Sequence, residues 1–305
     1  MILYFSYKCR GRRNDRVSAC KRAILFTPFL TLLVTAGSAA AASAPHVNVD
    51  LVAEPSSIQA ALPFWVGLHF QLENGWHIYW VNPGDSGEPP KVQWTLPPGF
   101  QAGPLHWPAP RRIEDHSLMD YGYLNEVLLP VEIQPPQSLE AAHNVQLSAA
   151  VRWLVCREIC IPGRATLSLT LSVGKEAAGP ESPWDALFAK TRASLPRPAP
   201  NSWRSAATLQ GGRFLLTVDT GKSETEAIFF PAEPNQVENA APQKVKSSTR
   251  GIELELQKSD LLLKPPPRLA GVLVLASGQG YVIQAPVVAS NSKADALHAS
   301  PGRVK

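Results

Sequence analysis

The sequence predicts an all-β fold: a β-sandwich followed by a second, smaller β-sandwich-like unit. Three observations carry this reading. Apolar and polar residues alternate with period two over Phe64–Leu72, Val145–Trp153 and Ala165–Val173, the pattern of strands with one face in a core and the other in water. The 29 prolines and 20 glycines cut the chain into strand-length pieces, because both residues punctuate regular structure. Long amphipathic helical patterns are nearly absent, and many short strands separated by turn signals argue for a sandwich.

From the amino terminus, residues 1–22 hold seven Lys or Arg and one acid, Asp15; an apolar stretch, Ala23–Val34, and a small-residue run, Ala36–Ala44, come next. Basic, apolar and Ala-x-Ala-like segments in that order read as a secretory signal peptide, residues 1–44, and predict export to the periplasm. The apolar stretch falls short of the roughly 20 residues of a comfortable membrane span. A first β domain is expected over 45–175. Residues 176–200 read as a linker. Within it Ser182-Pro183 offers a cap and a first-turn proline for a short helix, Trp184–Ser194, and the prolines of Leu195–Pro200 make the end of the linker stiff. Strands resume at Arg213–Val218, Gly251–Leu256 and Gly271–Leu275, the last paired with Tyr281–Gln284 across Gly278-Gln-Gly280. These make a second β domain over 201–290. The small, polar residues 291–305 are expected to be a disordered tail.

The formal charge of +4 belongs to the leader, since beyond Ala44 acids outnumber Lys and Arg by two. No basic patch points to nucleic acid. Of the four cysteines, Cys9 and Cys20 fall in the leader, leaving Cys156 and Cys160 in Trp153-Leu-Val-Cys-Arg-Glu-Ile-Cys-Ile-Pro-Gly163, where a predicted strand gives way to a turn.

Three readings of this pair stand side by side. In an oxidising compartment, thiols within reach of each other pair. As a structural staple the pair is weak, because closing so short a loop constrains the unfolded chain by only about 2 kcal/mol. As a redox couple it is workable, because tight geometry risks strain and strained disulfides are the reducible ones. Arg157 would favour a thiolate on Cys156 and Glu158 would oppose it. As metal ligands, two thiolates suit Cu(I), whereas tetrahedral zinc needs two more donors. The candidate donors are His69, His77, His106, His116 and His143, of which His77, His106 and His116 read as lying in loop-like, aromatic-rich surroundings.

Six of the eight tryptophans, at 65, 76, 80, 94, 107 and 153, fall in the first domain. Trp65, Trp94 and Trp153 read as core. Trp107 differs: Pro108 and Pro110 hold it in an extended loop ahead of the polar run Arg111–His116, where an exposed indole would shield something reactive.

Five features occur in a telling order: Gly75-Trp-His-Ile-Tyr79; the turn Leu96-Pro-Pro-Gly-Phe100; the Trp-Pro loop Leu105–Pro110; Tyr121-Gly-Tyr-Leu-Asn-Glu-Val-Leu-Leu-Pro-Val131; and a strand ending in Cys-x-x-x-Cys-x-Pro. Over roughly residues 47–173 the chain resembles the amino-terminal periplasmic domain of the thiol:disulfide interchange protein DsbD, and more closely its ScsB-like relatives. The resemblance implies an immunoglobulin-like sandwich carrying redox cysteines near one end and needing no cofactor. It implies a membrane-embedded thiol reductase as electron donor and periplasmic disulfide-exchange proteins as clients, with no small-molecule substrate. Carried over by position, the redox pair is Cys156 and Cys160, with Cys160 attacking and Cys156 resolving. Pro162 and Gly163 would shape the exposed turn. The cap loop would be Leu105 to about His116, with His106, Trp107 and Pro108 over the cysteines, and the family's tyrosine would be Tyr121 or Tyr123. DsbD itself has a wider cysteine spacing, so its acidic cap residues map only loosely, onto Glu114 and Asp115. Because no transmembrane or thioredoxin-like segment is seen in the sequence, electrons are expected from a separate protein. Two alternatives remain: a copper-tolerance module using the same cysteines, and a non-catalytic adaptor docking through its sandwich edges.

Overall fold

The sharpest period-two pattern sits in the longest hairpin. Val145, Leu147, Ala149, Val151, Trp153 and Val155 are buried, and the residues between them face the other way, so a strand with this sequence can lie only one way up. The structure, a computed structural model, describes residues 42–140, 144–174 and 182–289. The proposed leader and tail therefore lie outside the described residues, except that Ala42–Ala44, assigned by sequence to the leader, forms a strand.

The first unit contains β1 (Ala42–Ala44), β2 (Val47–Ala53), β3 (Ser57–Ile58), β4 (Phe64–Leu72), β5 (His77–Gly84), β6 (Lys91–Thr95), β7 (Gln101–Ala102), β8 (Arg111–Asp115), β9 (Leu118–Leu124), β10 (Glu126–Gln134), β11 (Asn144–Cys156) and β12 (Cys160–Val173). These form two sheets, ordered β1-β2-β4-β10-β7 and β3-β12-β11-β5-β9-β8, with β6 also pairing β11. Their inner faces share one core, in which Val49, Leu51, Val66, Leu68, Phe70, Leu129 and Val131 of the first sheet meet Ile78, Leu147, Val151 and Leu169 of the second. This is a β-sandwich.

Helix α1 (Asp185–Ser194) comes next. Ser182 Oγ accepts from Trp184 N at 3.2 Å, and Pro183 stands ahead of the first turn, not within it. The helix buries Phe188 on the outer side of the first sheet, against Val52 and Leu128.

The second unit contains β13 (Arg197–Pro198), β14 (Arg204–Gln210), β15 (Arg213–Asp219), β16 (Ala227–Pro231), β17 (Lys244–Ser248), β18 (Gly251–Gln257), β19 (Arg268–Leu275) and β20 (Gly280–Ala289). They form one sheet, ordered β16-β19-β20-β14-β15-β18-β17, with β13 on β20. Strand β20 pairs β19 antiparallel along its first part and β14 in parallel along its last. The sheet turns at β20 and closes on its own core of Phe214, Leu216, Leu254, Phe229, Leu273 and Ile283.

The two β units share apolar and polar contacts. Phe230 and Val272 of the second belong to the core of the first, where Phe230 packs edge-on against Tyr121 and Trp80. Buried Asn82 donates to Pro231 O at 2.8 Å. Arg112 donates to Asn239 O at 2.7 Å.

Candidate functional site

Cys156 and Cys160 lie opposite one another as the last pair of the β11–β12 ladder, with Arg157, Glu158 and Ile159 as the turn. They are joined by a disulfide, with Cα atoms 4.2 Å apart. Pro162 and Gly163 are not in the turn but in β12, paired with Leu154 and Trp153. Gly163 is needed there because a Cβ would stand 2.2 Å from the Trp153 ring. The two sulfurs differ in surroundings: Cys156 is 1% exposed, whereas Cys160 is exposed.

Strand parity decides what shares a face with them. Cys156 pairs with His77, and in β5 the side chains of His77 and Tyr79 point the same way. Asp120 reaches that face from β9, where Tyr79 pairs with Gly122. Tyr79 Oη lies 3.5 Å from Cys160 Sγ and 3.2 Å from Ser86 Oγ. Ser86 in turn donates to the fully buried Asp120 carboxylate from its hydroxyl, at 2.9 Å, and from its backbone N–H, at 3.0 Å. His77 Nε2 lies 3.4 Å from Asp120 Oδ2, and the His77 ring meets Tyr79 edge-on at 5.1 Å. A chain of polar groups thus runs from the sulfur of exposed Cys160 to a buried acid. Burial pushes the Tyr79 phenol up to about 12; the Ser86 hydrogen bond works against the rise and the Asp120 charge adds to it.

The segment lying on Tyr79 is Gly84–Gly87. Gly87 has φ +70, and a Cβ there would come within 2.1 Å of Tyr79 Cζ, so only glycine lets this loop rest on the ring. The loop is pinned by Asp85, whose carboxylate accepts from Met119 N at 2.8 Å and from Asn239 Nδ2 at 2.7 Å.

The residues placed in a cap loop by sequence sit elsewhere. His106 donates its backbone N–H to Pro130 O at 2.8 Å, and its ring packs edge-on against Trp65 at 5.0 Å. His106 and Trp107 line a groove of about 410 Å³ with Val272 and Ile283 of the second unit. Pro108 is buried, and its carbonyl accepts from Tyr123 Oη at 2.8 Å. Tyr121 and Tyr123 stand on the core face of their sheet, opposite in parity to His77 and Tyr79; the Tyr121 hydroxyl donates to Asn239 Oδ1 at 2.9 Å. Glu114 and Asp115 lie in β8 at the far edge of the cysteine-bearing sheet. Among the described residues, the tyrosine that reaches the disulfide is Tyr79.

The histidines considered as metal donors are dispersed. His77 is not in a loop but buried in β5. His69 is buried in β4, with Nε2 3.1 Å from Glu126. His116 is exposed in a turn beside Asp115, and His143 lies outside the described residues. Among the described residues, no group of three or more His, Cys, Asp or Glu side chains is arranged to hold a metal ion. Nor, among them, is any helix long and apolar enough to cross a membrane.

The fold and the site define a class: an all-β domain with a disulfide closing a hairpin, one cysteine buried and the other exposed. Residues 47–172 match the model of the N-terminal domain of the thiol:disulfide interchange protein DsbD. Over its first sandwich the chain is therefore similar to the DsbD N-terminal family. Among solved structures, the N-terminal periplasmic domain of ScsB from Proteus mirabilis is 17% identical with a TM-score of 0.61, over 81% of this chain and 96% of that one. That likeness shows a shared fold and takes in the second unit as well as the first. The periplasmic chaperone SfaE (7% identity, TM-score 0.21, 79% of this chain, 100% of that one) and the major pilin subunit BcpA of Bacillus cereus (7%, 0.27, 80%, 68%) are too distant in structure to bear on the chain. No curated protein sequence matches it.

Proposed function

We propose that the protein is a periplasmic thiol–disulfide interchange protein, passing electrons from a membrane-embedded thiol reductase to disulfide-bonded periplasmic partners. The observation that carries this reading is the asymmetry of the pair: a buried Cys156 behind an exposed Cys160. In the oxidised protein an incoming thiolate has one accessible target, the Cys160 sulfur. Attack there forms an intermolecular disulfide and releases Cys156 as a thiolate, which takes up a proton. A second donor thiolate then attacks its own sulfur of the mixed disulfide and frees Cys160. Two electrons and two protons have then entered the pair. In the forward half, the Cys160 thiolate attacks a client disulfide, one client sulfur leaves and is protonated, and Cys156 attacks Cys160 to restore the internal bond and free the second client sulfur. The Tyr79 hydroxyl, 3.5 Å from Cys160 Sγ, stabilises the thiolate by hydrogen bonding to it.

The test uses single-cysteine variants of the full chain with a chromogenic disulfide. Cys156→Ser, which keeps Cys160, is expected to form a mixed disulfide rapidly; Cys160→Ser is expected to react at least tenfold more slowly. Equal rates would remove the assigned roles. A wild-type reduction potential well below about −300 mV would mark the bond as structural and overturn the proposal.

A further inference from the structure

We infer that the outer face of the β6–β11–β12 ladder is the surface on which the redox partner docks, and that it selects a partner carrying an anionic strip beside its disulfide. The inference rests on the exchange reading above. A partner whose sulfur bonds to Cys160 must cover the face that Cys160 shares, and strand parity fixes what lies there. Going away from the disulfide, the next pair on this face is Leu154 with Pro162, and the one after is Arg152 with Arg164. Lys91 of β6 pairs with Arg152 from its other side. Lys91, Arg152 and Arg164 therefore stand in one cross-strand row, and all three are exposed.

Like charges set directly opposite one another on a sheet destabilise it. Glu88 is held by Lys91, and its charge also acts on Arg152, so the row is offset in part. Among the described residues, neither arginine has a carboxylate within ion-pairing distance. The row borders a groove of about 360 Å³ lined by Glu88, Pro89, Trp153, Leu154, Pro162 and Gly163. At the other end of the face, Ile159 is 65% exposed at the hairpin tip beside Cys160. The surface thus has apolar Leu154, Pro162 and Ile159 beside the reactive sulfur, the exposed Arg157–Glu158 pair at the turn, and a cationic row four residues along the strand, about 13 Å away at about 3.3 Å per residue. An extended acidic segment fits both. Its carboxylates would pair with the arginines and steer encounter as well as fix register.

Two peptides of equal length test the inference. Each carries one cysteine activated as a 2-thiopyridyl disulfide; one has glutamates four and five residues away, the other lysines at the same places. Release of thiopyridone by the reduced full chain is timed at low and high salt. The acidic peptide is expected to react on the order of tenfold faster at low salt, with the difference closing at high salt. In Arg152→Gln/Arg164→Gln the acidic-to-basic rate ratio is expected to fall to near one, whereas Lys246→Gln/Arg250→Gln, in the second unit, should keep the wild-type ratio. If both peptides react equally with wild type at low salt, the docking inference is overturned and the exchange reading stands. If neither peptide releases thiopyridone, the exchange reading fails and the docking surface with it.

Discussion

Asn239 belongs to the second β unit, yet its side chain touches the loop beside the disulfide. Its amide donates to Asp85 at 2.7 Å and accepts from Tyr121 at 2.9 Å. Asn239→Ala removes both bonds while leaving the backbone contact with Arg112 in place. Tyr121 is fully buried, so its hydroxyl would lose its partner without gaining water, at a cost of about 1–3 kcal/mol. Asp85 is exposed; water replaces its lost bond, and its share is smaller. The expected loss is about 2 kcal/mol. Tyr121→Phe removes the orphaned donor, so in that background Asn239→Ala should cost at least about 1 kcal/mol less. Urea unfolding of wild type, both single variants and the double variant gives this coupling. The same variant frees one anchor of Gly84–Gly87, the segment resting on Tyr79, so Cys160 in the reduced protein should react several-fold more slowly with a neutral disulfide as the phenol loses its place beside the sulfur, a change that simple destabilisation would not produce under native conditions. Additive stabilities together with an unchanged Cys160 rate would refute the idea that the second unit holds this loop.

The same network sets three further outcomes. Tyr79→Phe deletes the hydroxyl beside Cys160 Sγ and is expected to slow exchange several-fold near neutral pH, read from a pH–rate profile; an unchanged profile would count against it. Gly87→Ala places a Cβ at positive φ and inside the Tyr79 ring, so it should cost about 1 kcal/mol or more from the backbone alone and move the phenol off the sulfur, as seen in stability and in the same profile. Burial raises the Tyr79 phenol to about 12, and Tyr121 and Tyr123 also lie above the usual value of 10.0. A folded-state pKa above the unfolded one means this stability is intact below about pH 10 and is lost as pH rises toward about 12. Tyrosinate absorbance should therefore appear together with unfolding, and ionisation of these phenols in a chain that stays folded would contradict their placement.

Much of the architecture is legible because burial alternates along single strands: β11 and β12 show their core faces without knowledge of any neighbour. The cysteine pair is legible because its spacing and its strand-to-turn position are local. What the sequence obscures is which residues are brought to it. Tyr79, Tyr121 and Tyr123 are all strand tyrosines, and the choice among them depends on the register in which β5 meets β11 and β9, a long-range fact. Parity offers a partial clue: His77 and Tyr79 share one face, and the acid Asp120, in a run of otherwise apolar residues, asks for polar company. The Trp107 loop misleads because an indole in a proline-rich loop looks the same from sequence whether it shields a sulfur or lines the groove beside Val272. Asn239 gives no local signal at all, since its partners lie more than a hundred residues earlier in the chain.

The hairpin also explains how a disulfide can open and close without costing the protein its fold. The β11–β12 ladder runs unbroken from Asn144 and Ser172 to the cysteine pair, which is its last rung. Breaking the bond leaves every earlier rung paired and both sheets closed on the same core. The bond constrains only a short loop in the unfolded chain, so its loss should lower stability by no more than about 2 kcal/mol. Reduced and oxidised protein should thus unfold in urea at midpoints that differ modestly, with matching far-ultraviolet circular dichroism before the transition. If reduction instead unfolded the first sandwich, the bond would be a structural staple, and the sheltered and exposed sulfurs would have to be explained without electron transfer.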